Sequence, residues 1–260
     1  MTTDRRVALV LAGTKGLGFA SAHAIGIDGA EVVICGRDQG NLDDAVARLT
    51  ADGITAHGII ADVADAASLE ALFAAVATRC GRLDALVANA GGPPPGTFDD
   101  LTLEQWGEAI ELTFMSVIRS VTYALPRLRA AGGGRIVIIG SSSVRRPIPG
   151  LTASNALRPG LAGLVKSLAV ELAGDRITVN MVSPGRIATE RTLQLDGRKA
   201  EAQGVPVEEV TATSAAAIPA GRYGEPEELG RMVSFLVAPA SGYLTGQSIL
   251  VDGGLAPTLP

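Results

Sequence analysis

Short runs rich in Val and Ile alternate with longer stretches of helical pattern, and that alternation leaves the chain few possible folds. The runs fall at residues 7–11, 31–35, 56–60, 83–88, 135–139, 177–181 and 248–251. Helical patterns occupy 20–29, 41–51, 66–80, 102–129 (with Pro126 inside) and 160–173. The runs show little polar alternation, so both faces of each strand are expected to be buried. Strands separated by helices connect in parallel. The expected architecture is a Rossmann-type, doubly wound α/β fold with a mainly parallel central sheet flanked by helices. No linker or break in composition divides residues 1–260, and one domain is expected. Residues 187–219 are polar, Ala-rich and contain Pro206. They are expected to form one or two helices over the carboxyl ends of the strands, where open α/β sheets bind ligands. A lid and a plain surface excursion both fit that segment.

Several function classes are disfavoured. With 22 basic and 27 acidic residues the formal charge is −5, which argues against a nucleic-acid or anionic-membrane surface. Cys35, Cys80, His23 and His57 are isolated and lack metal-ligand spacing, so no metal site is expected. No run approaches the ~18 apolar residues of a membrane span. The start, Met1-Thr2-Thr3-Asp4-Arg5-Arg6, lacks an apolar leader, and a cytoplasmic location is expected.

The segment Leu11-Ala12-Gly13-Thr14-Lys15-Gly16-Leu17-Gly18 joins the first strand to the first helix. Glycines there let backbone N–H groups approach a diphosphate, and the helix N-terminus favours its charge. A tight turn with no ligand is the alternative. Arg37 follows Gly36 at the exit of the second strand, and Lys15 lies in the first turn. Both can reach a 2′-phosphate on an adenine ribose. No carboxylate stands at position 36 to accept ribose hydroxyls, and Asp38 can cap the next helix. NADP(H) is therefore expected over NAD(H), although Arg37 also reads as a solvated surface arginine.

With these pieces in place, the chain resembles the short-chain dehydrogenase/reductase family, in particular its 3-oxoacyl carrier-protein reductase-like members, from Val7 to Gly254. The matching segments are the glycine turn, Asp62-Val63, Asn89-Ala90-Gly91, Gly134-Arg135-Ile136-Val137 leading to Ser141, Asn180, Pro184-Gly185 with Thr189, and Leu244-Thr245-Gly246 ending in Val251-Asp252-Gly253-Gly254. The resemblance implies that Asp62 bonds the adenine amino group, with Val63 alongside the ring. It implies that Asn89, Ala90 and Gly91 line the adenine ribose. It places Pro184, Gly185, Ile187 and Thr189 around the nicotinamide. It also implies a homotetramer or homodimer built from the long central helices and the last strand.

The pattern breaks in two places. The family's first glycine corresponds to Ala12, with Gly13 expected to keep the turn open. The family's Asn, Tyr and Lys correspond to Thr113, Ser154 and Arg158, while Ser141 matches the family Ser. A phenol with a pKa of about 10 can be shifted toward neutrality by an adjacent cation, whereas an aliphatic hydroxyl is far less acidic and Ser is shorter. Arg158 keeps a positive charge and can hold the nicotinamide ribose, but guanidinium does not relay protons. Asn155 is positioned to donate to a substrate oxygen, and Ser142 and Ser143 read as strand-end polar residues. Arg145 and Arg146 suit an anionic small-molecule substrate or form a solvated pair. Pro93, Pro94 and Pro95 stiffen the wall after the fourth strand. Two functions stay open. One is an atypical oxidoreductase moving a hydride between NADP(H) and a carbonyl or alcohol, with Ser141, Ser154, Arg158, Thr113 and Asn155 at the reacting centre. The other is a non-redox or inactive dinucleotide-binding homologue, or a partner subunit of a reductase. A serine hydrolase is disfavoured, because Ser154 has no matched His and Asp.

Overall fold

Residues 5–258 are described by a computed structural model in which every strand of the pattern joins one sheet. The strands are β1 (Val7–Val10), β2 (Glu31–Gly36), β3 (Ala56–Ile60), β4 (Ala85–Ala88), β5 (Gly134–Ile139), β6 (Ile177–Pro184) and β7 (Ser248–Val251). All pairings are parallel, in the order β3-β2-β1-β4-β5-β6-β7. The order reverses between β1 and β4, which opens a crevice at their carboxyl ends.

The helices are α1 (Gly16–Ile27), α2 (Gln39–Ala51), α3 (Ala66–Cys80), α4 (Leu103–Ile110), α5 (Ser116–Ala130), α6 (Thr152–Glu171), α7 (Glu190–Gln203), α8 (Val207–Ala216) and α9 (Pro226–Val237). Two apolar layers explain the unbroken Val and Ile runs. Successive strand residues point to opposite faces. Leu9, Val33, Leu86 and Ile136 meet α3, α5 and α6 through Phe73, Val121 and Leu161. Val10, Ile34, Val87 and Val137 meet α1, α2 and α9 through Ile25, Leu49 and Val233. Among the described residues no helix is long and apolar enough to cross a membrane.

Helix boundaries depart from the sequence reading for identifiable reasons. The sequence reading starts its fifth helix at residue 160, where the strongly apolar pattern begins. The structure starts α6 at Thr152 and carries Pro159 on an exposed face. A proline there costs one backbone bond to the carbonyl of residue 155, which the buried face of α6 offsets. The consequence is functional: Ser154, Asn155 and Arg158 lie on a helix, with Ser154 and Arg158 one turn apart on the same buried face. The pattern at 102–129 forms unbroken helix from Leu103 to Ala130, but not of one kind. A π-helical turn at Glu111–Met115 separates α4 from α5 and holds Thr113. The segment 187–219 forms two helices, α7 and α8. Finally, α9 is absent from the sequence reading, although Pro226 at its first turn and the Glu225–Glu228 capping box mark its start.

Candidate active site

The first bank of the crevice is the turn between β1 and α1. Its positive φ values fall at Ala12 (46°) and Gly16 (51°), not at Gly13. The expectation that Gly13 opens the turn is thus corrected: Gly13 is needed because a Cβ there would stand 2.8 Å from the Ile34 side chain. Ala12 bears the left-handed conformation itself, which costs an L-residue about 1–2 kcal/mol. Ala12→Gly is therefore expected to raise unfolding free energy by about 1 kcal/mol, after the entropy that glycine adds to the unfolded chain. Urea titration checks this; a loss of stability would contradict the strain assignment.

Gly18 lets α1 fold back against the turn, since a Cβ would meet Ala12 O at 2.2 Å and Asn89 Nδ2 at 2.8 Å. Asn89 follows β4 and donates to Leu11 O and Ala12 O, both at 3.2 Å, tying the two sides of the switch point together. Lys15 caps α1 without a side-chain bond, and the first turn of α1 carries no acid. Leu17 accepts the Ser21 hydroxyl through its carbonyl. Ala90 and Gly91 continue the wall beyond Asn89 toward Gly92 and Pro93. An uncapped N-terminus beside a glycine cradle fits the diphosphate of a dinucleotide.

The far end of the crevice carries Arg37. Arg37 is exposed at the exit of β2, with Nη1 3.8 Å from Asp62 Oδ2. Asp62 also accepts from Ala64 N at 2.9 Å, and Val63 beside it is buried. Asp38 caps α2 by accepting from Asn41 N at 2.8 Å. The Thr14 methyl lies 2.6 Å from where a Cβ of Gly36 would stand, so packing excludes an acidic side chain at that position.

The deep end lies between β5, α6 and the π-helical turn. Ser141 follows β5, and its Oγ accepts from Ser143 N at 3.1 Å. Ser143 Oγ is 3.2 Å from Ser154 Oγ. Ser143 thus links Ser141 to Ser154, a role that its reading as a strand-end residue missed. Arg158 is buried and donates through Nη1 to Ile139 O at 2.5 Å. No carboxylate pairs with it among the described residues. Burial pushes its pKa down to about 10, which leaves it charged at neutral pH. Thr113 is buried, and its hydroxyl has no protein partner. Such an atom calls for a water or a ligand.

Asn155 is engaged locally. Its amide donates to Ile148 O and accepts from Ile148 N, each at 2.9 Å, so it braces the loop after β5. That loop is joined to the Pro-rich wall by Gly96 N to Gly150 O (2.7 Å) and Thr152 N to Gly96 O (3.1 Å). Arg145 and Arg146 are exposed. On the opposite side, Pro184 ends β6, Gly185 packs against Asp252, Ile187 is buried beside Gly224, and Thr189 caps α7.

Other nucleophiles and bases lie elsewhere. His23 pairs with Asp52 and His57 with Glu31. Burial pushes the Cys35 and Cys80 thiols up to about 12, so neither is a thiolate at neutral pH. A cavity of about 660 Å³ lies at the amino ends of β5 and β6, away from the crevice at the carboxyl ends, lined by Arg6, Arg135, Arg176 and Thr178. There Arg6 donates to Val237 O at the end of α9, and Arg135 to Gly134 O. Cations at helix carboxyl ends balance the backbone dipoles, and nothing there reaches the crevice.

Fold and crevice together define a doubly wound α/β protein of Rossmann type. The sequence profile described as Enoyl-(Acyl carrier protein) reductase matches residues 11–256. Dehydrogenase/reductase SDR family member 4 of Homo sapiens is 36% identical over 252 residues, spanning 96% of this chain and 87% of that protein. A single-substitution variant of actinorhodin polyketide ketoreductase, solved with NADPH, superposes with a TM-score of 0.95 at 34% identity, covering 99% of this chain and 100% of that one. The L-sorbose reductase of Gluconobacter frateurii, solved with NADPH and L-sorbose, gives 0.93 at 29% identity, covering 98% of each chain. The chain belongs to the short-chain dehydrogenase/reductase family, whose members among these relatives are oxidoreductases.

Proposed function

We propose that this protein is an NADP(H)-dependent reductase of a small carbonyl compound, with Ser154 and Arg158 in the places of the family's Tyr and Lys. The observation that carries this reading is the buried Arg158 cation. It sits one helical turn from Ser154, at the carboxyl end of β5, with no counter-ion among the described residues. A stable fold has no need of such a group, and a site that stabilises developing oxyanion charge does. The family relatives solved with NADPH support the cofactor assignment.

When bound, NADPH supplies the hydride. The turn Ala12 to Gly18 and the N-terminus of α1 would hold its diphosphate. Lys15 and Arg37 would take the 2′-phosphate, Asp62 and Val63 the adenine, and Asn89, Ala90 and Gly91 the ribose. Pro184, Gly185, Ile187 and Thr189 would flank the nicotinamide. Ser141 and Ser154 donate hydrogen bonds to the carbonyl oxygen, and Arg158 stabilises the charge that develops there while holding a ribose hydroxyl. The proton that completes the alcohol is drawn from solvent, and the unpartnered Thr113 hydroxyl offers a place for the water that would deliver it.

The purified protein is expected to oxidise NADPH with a ketone or aldehyde from a panel of anionic and neutral compounds. Ser154→Ala should lose most of that rate while its NADPH affinity stays. Unchanged turnover would sink the assignment of Ser154. Tight NADPH binding with no oxidation by any carbonyl would point instead to a non-redox dinucleotide protein. Arg37→Ala is expected to raise the Kd for NADPH about 10-fold and leave NADH unchanged, because it removes one charge-assisted bond to the 2′-phosphate. Equal losses for both nucleotides would contradict that role.

A further inference from the structure

The first turn of α7 spans the crevice from one bank to the other. At one end, the Thr189 methyl lies 3.6 Å from where a Cβ of Gly16 would stand, and Glu190 is 4.0 Å from Lys15 Nζ. At the other end, Arg191 Nη2 donates to Pro93 O at 2.8 Å. Its guanidinium lies against Gly92, where a Cβ would stand 3.2 Å from Nε. The body of α7 is anchored by Asp196, which is fully buried. Asp196 accepts from Arg186 Nη2 and, at 2.8 Å, from the Tyr223 hydroxyl, and Tyr223 also bonds Ser214 of α8. A buried carboxylate held by two donors fixes α7 firmly, because losing either partner strands a charge. The near end is different. Arg191 is half-buried, has no carboxylate partner among the described residues, and holds only a neutral carbonyl. Burial and the nearby Arg198 lower its pKa, a sign of charge that its surroundings do not balance.

We propose that Arg191 is a phosphate-binding residue of the dinucleotide groove. It exchanges the Pro93 carbonyl for the diphosphate, while Glu190 competes with the 2′-phosphate for Lys15. This inference rests on the dinucleotide reading above. It makes α7 a strap with one fixed end and one end that changes partner on binding. A charge-assisted bond to phosphate outweighs a bond to a peptide carbonyl, so the exchange runs toward the ligand. The exposed Glu190–Lys15 pair is a weak competitor, which lets it yield.

Calorimetry on the full chain tests this with NADPH, NADH and 2′-AMP, the last carrying adenosine and a 2′-phosphate but no diphosphate. Arg191→Gln is expected to raise the Kd of both NADPH and NADH about 10-fold or more and to leave 2′-AMP unchanged. Arg191→Lys should recover part of that loss, since it keeps the charge without the fork. Glu190→Gln should tighten NADPH by up to about fivefold and leave NADH unchanged. Dinucleotide affinity that survives Arg191→Gln overturns the inference alone. A parallel loss of 2′-AMP affinity also overturns it, because that would report a general loosening of α7. Absence of dinucleotide binding by the parent protein overturns the inference and the dinucleotide reading together.

Discussion

Arg158→Met is expected to leave the protein at least as stable as the parent and to remove nearly all of its turnover. The two effects have one cause. Arg158 is buried, pairs with no carboxylate among the described residues, and is held by the Ile139 carbonyl. Burying a cation in this way costs several kcal/mol, and a methionine of similar length fills the space without that cost. Stranding the Ile139 carbonyl costs about 1–3 kcal/mol in return. The balance is a midpoint of unfolding that stays level or rises. Turnover responds in the opposite direction. The charge facing the reacting oxygen disappears, and loss of one such preorganised group typically costs about 100- to 1,000-fold in kcat. Thermal unfolding and NADPH oxidation on the same preparation check both halves. A variant destabilised by about 3 kcal/mol or more would mean that the guanidinium serves the fold rather than the site.

Gly18→Ala is the second large effect, and its sign is the same for stability and binding. The added methyl group would lie 2.2 Å from Ala12 O and 2.8 Å from Asn89 Nδ2. Neither neighbour can retreat cheaply. Ala12 is already in a left-handed conformation, and Asn89 is committed to two carbonyls across the switch point. The overlap is with backbone, so the turn must open or α1 must shift. We expect a loss of about 3 kcal/mol or more in stability and about 100-fold or more in dinucleotide affinity. Gly29→Ala serves as the control, because nothing lies within 4 Å of its added Cβ. Its φ of 88° still imposes a backbone cost, so it should lose stability but keep its affinity. Equal affinity losses in both variants would contradict the close approach at Gly18.

The parts of this fold that were legible in the sequence are those where one physical rule acts alone. Strands buried on both faces produce unbroken runs such as Val32-Val33-Ile34, and β2 to β7 fall on or within a few residues of those runs. The glycine turn and the basic exit of β2 also leave local marks in the sequence. What escaped depends on contacts between distant segments. The apolar pattern begins at Gly160, yet α6 starts at Thr152 and runs through Pro159 because its buried face packs on the core. Thr113 was legible as a residue but not as part of a π-helical turn, which has no mark in the local pattern. Ser143 was passed over because adjacent serines look alike, and only the return of α6 puts one of them 3.2 Å from Ser154. The bracing role of Asn155 escaped because its partner, Ile148, lies in a loop whose path the sequence does not reveal. The anchor of α7 was missed altogether, since Arg186, Asp196 and Tyr223 are brought together only by folding.

We propose that the crevice serves NADP(H), with Ser154 and Arg158 at its deep end. Titration of the purified parent protein with NADPH and with NADH, by calorimetry, tests it most directly. Micromolar binding of NADPH and much weaker binding of NADH are expected, with Lys15 and Arg37 supplying the difference. Folded protein that binds neither nucleotide, or binds NADH as tightly as NADPH, would contradict it.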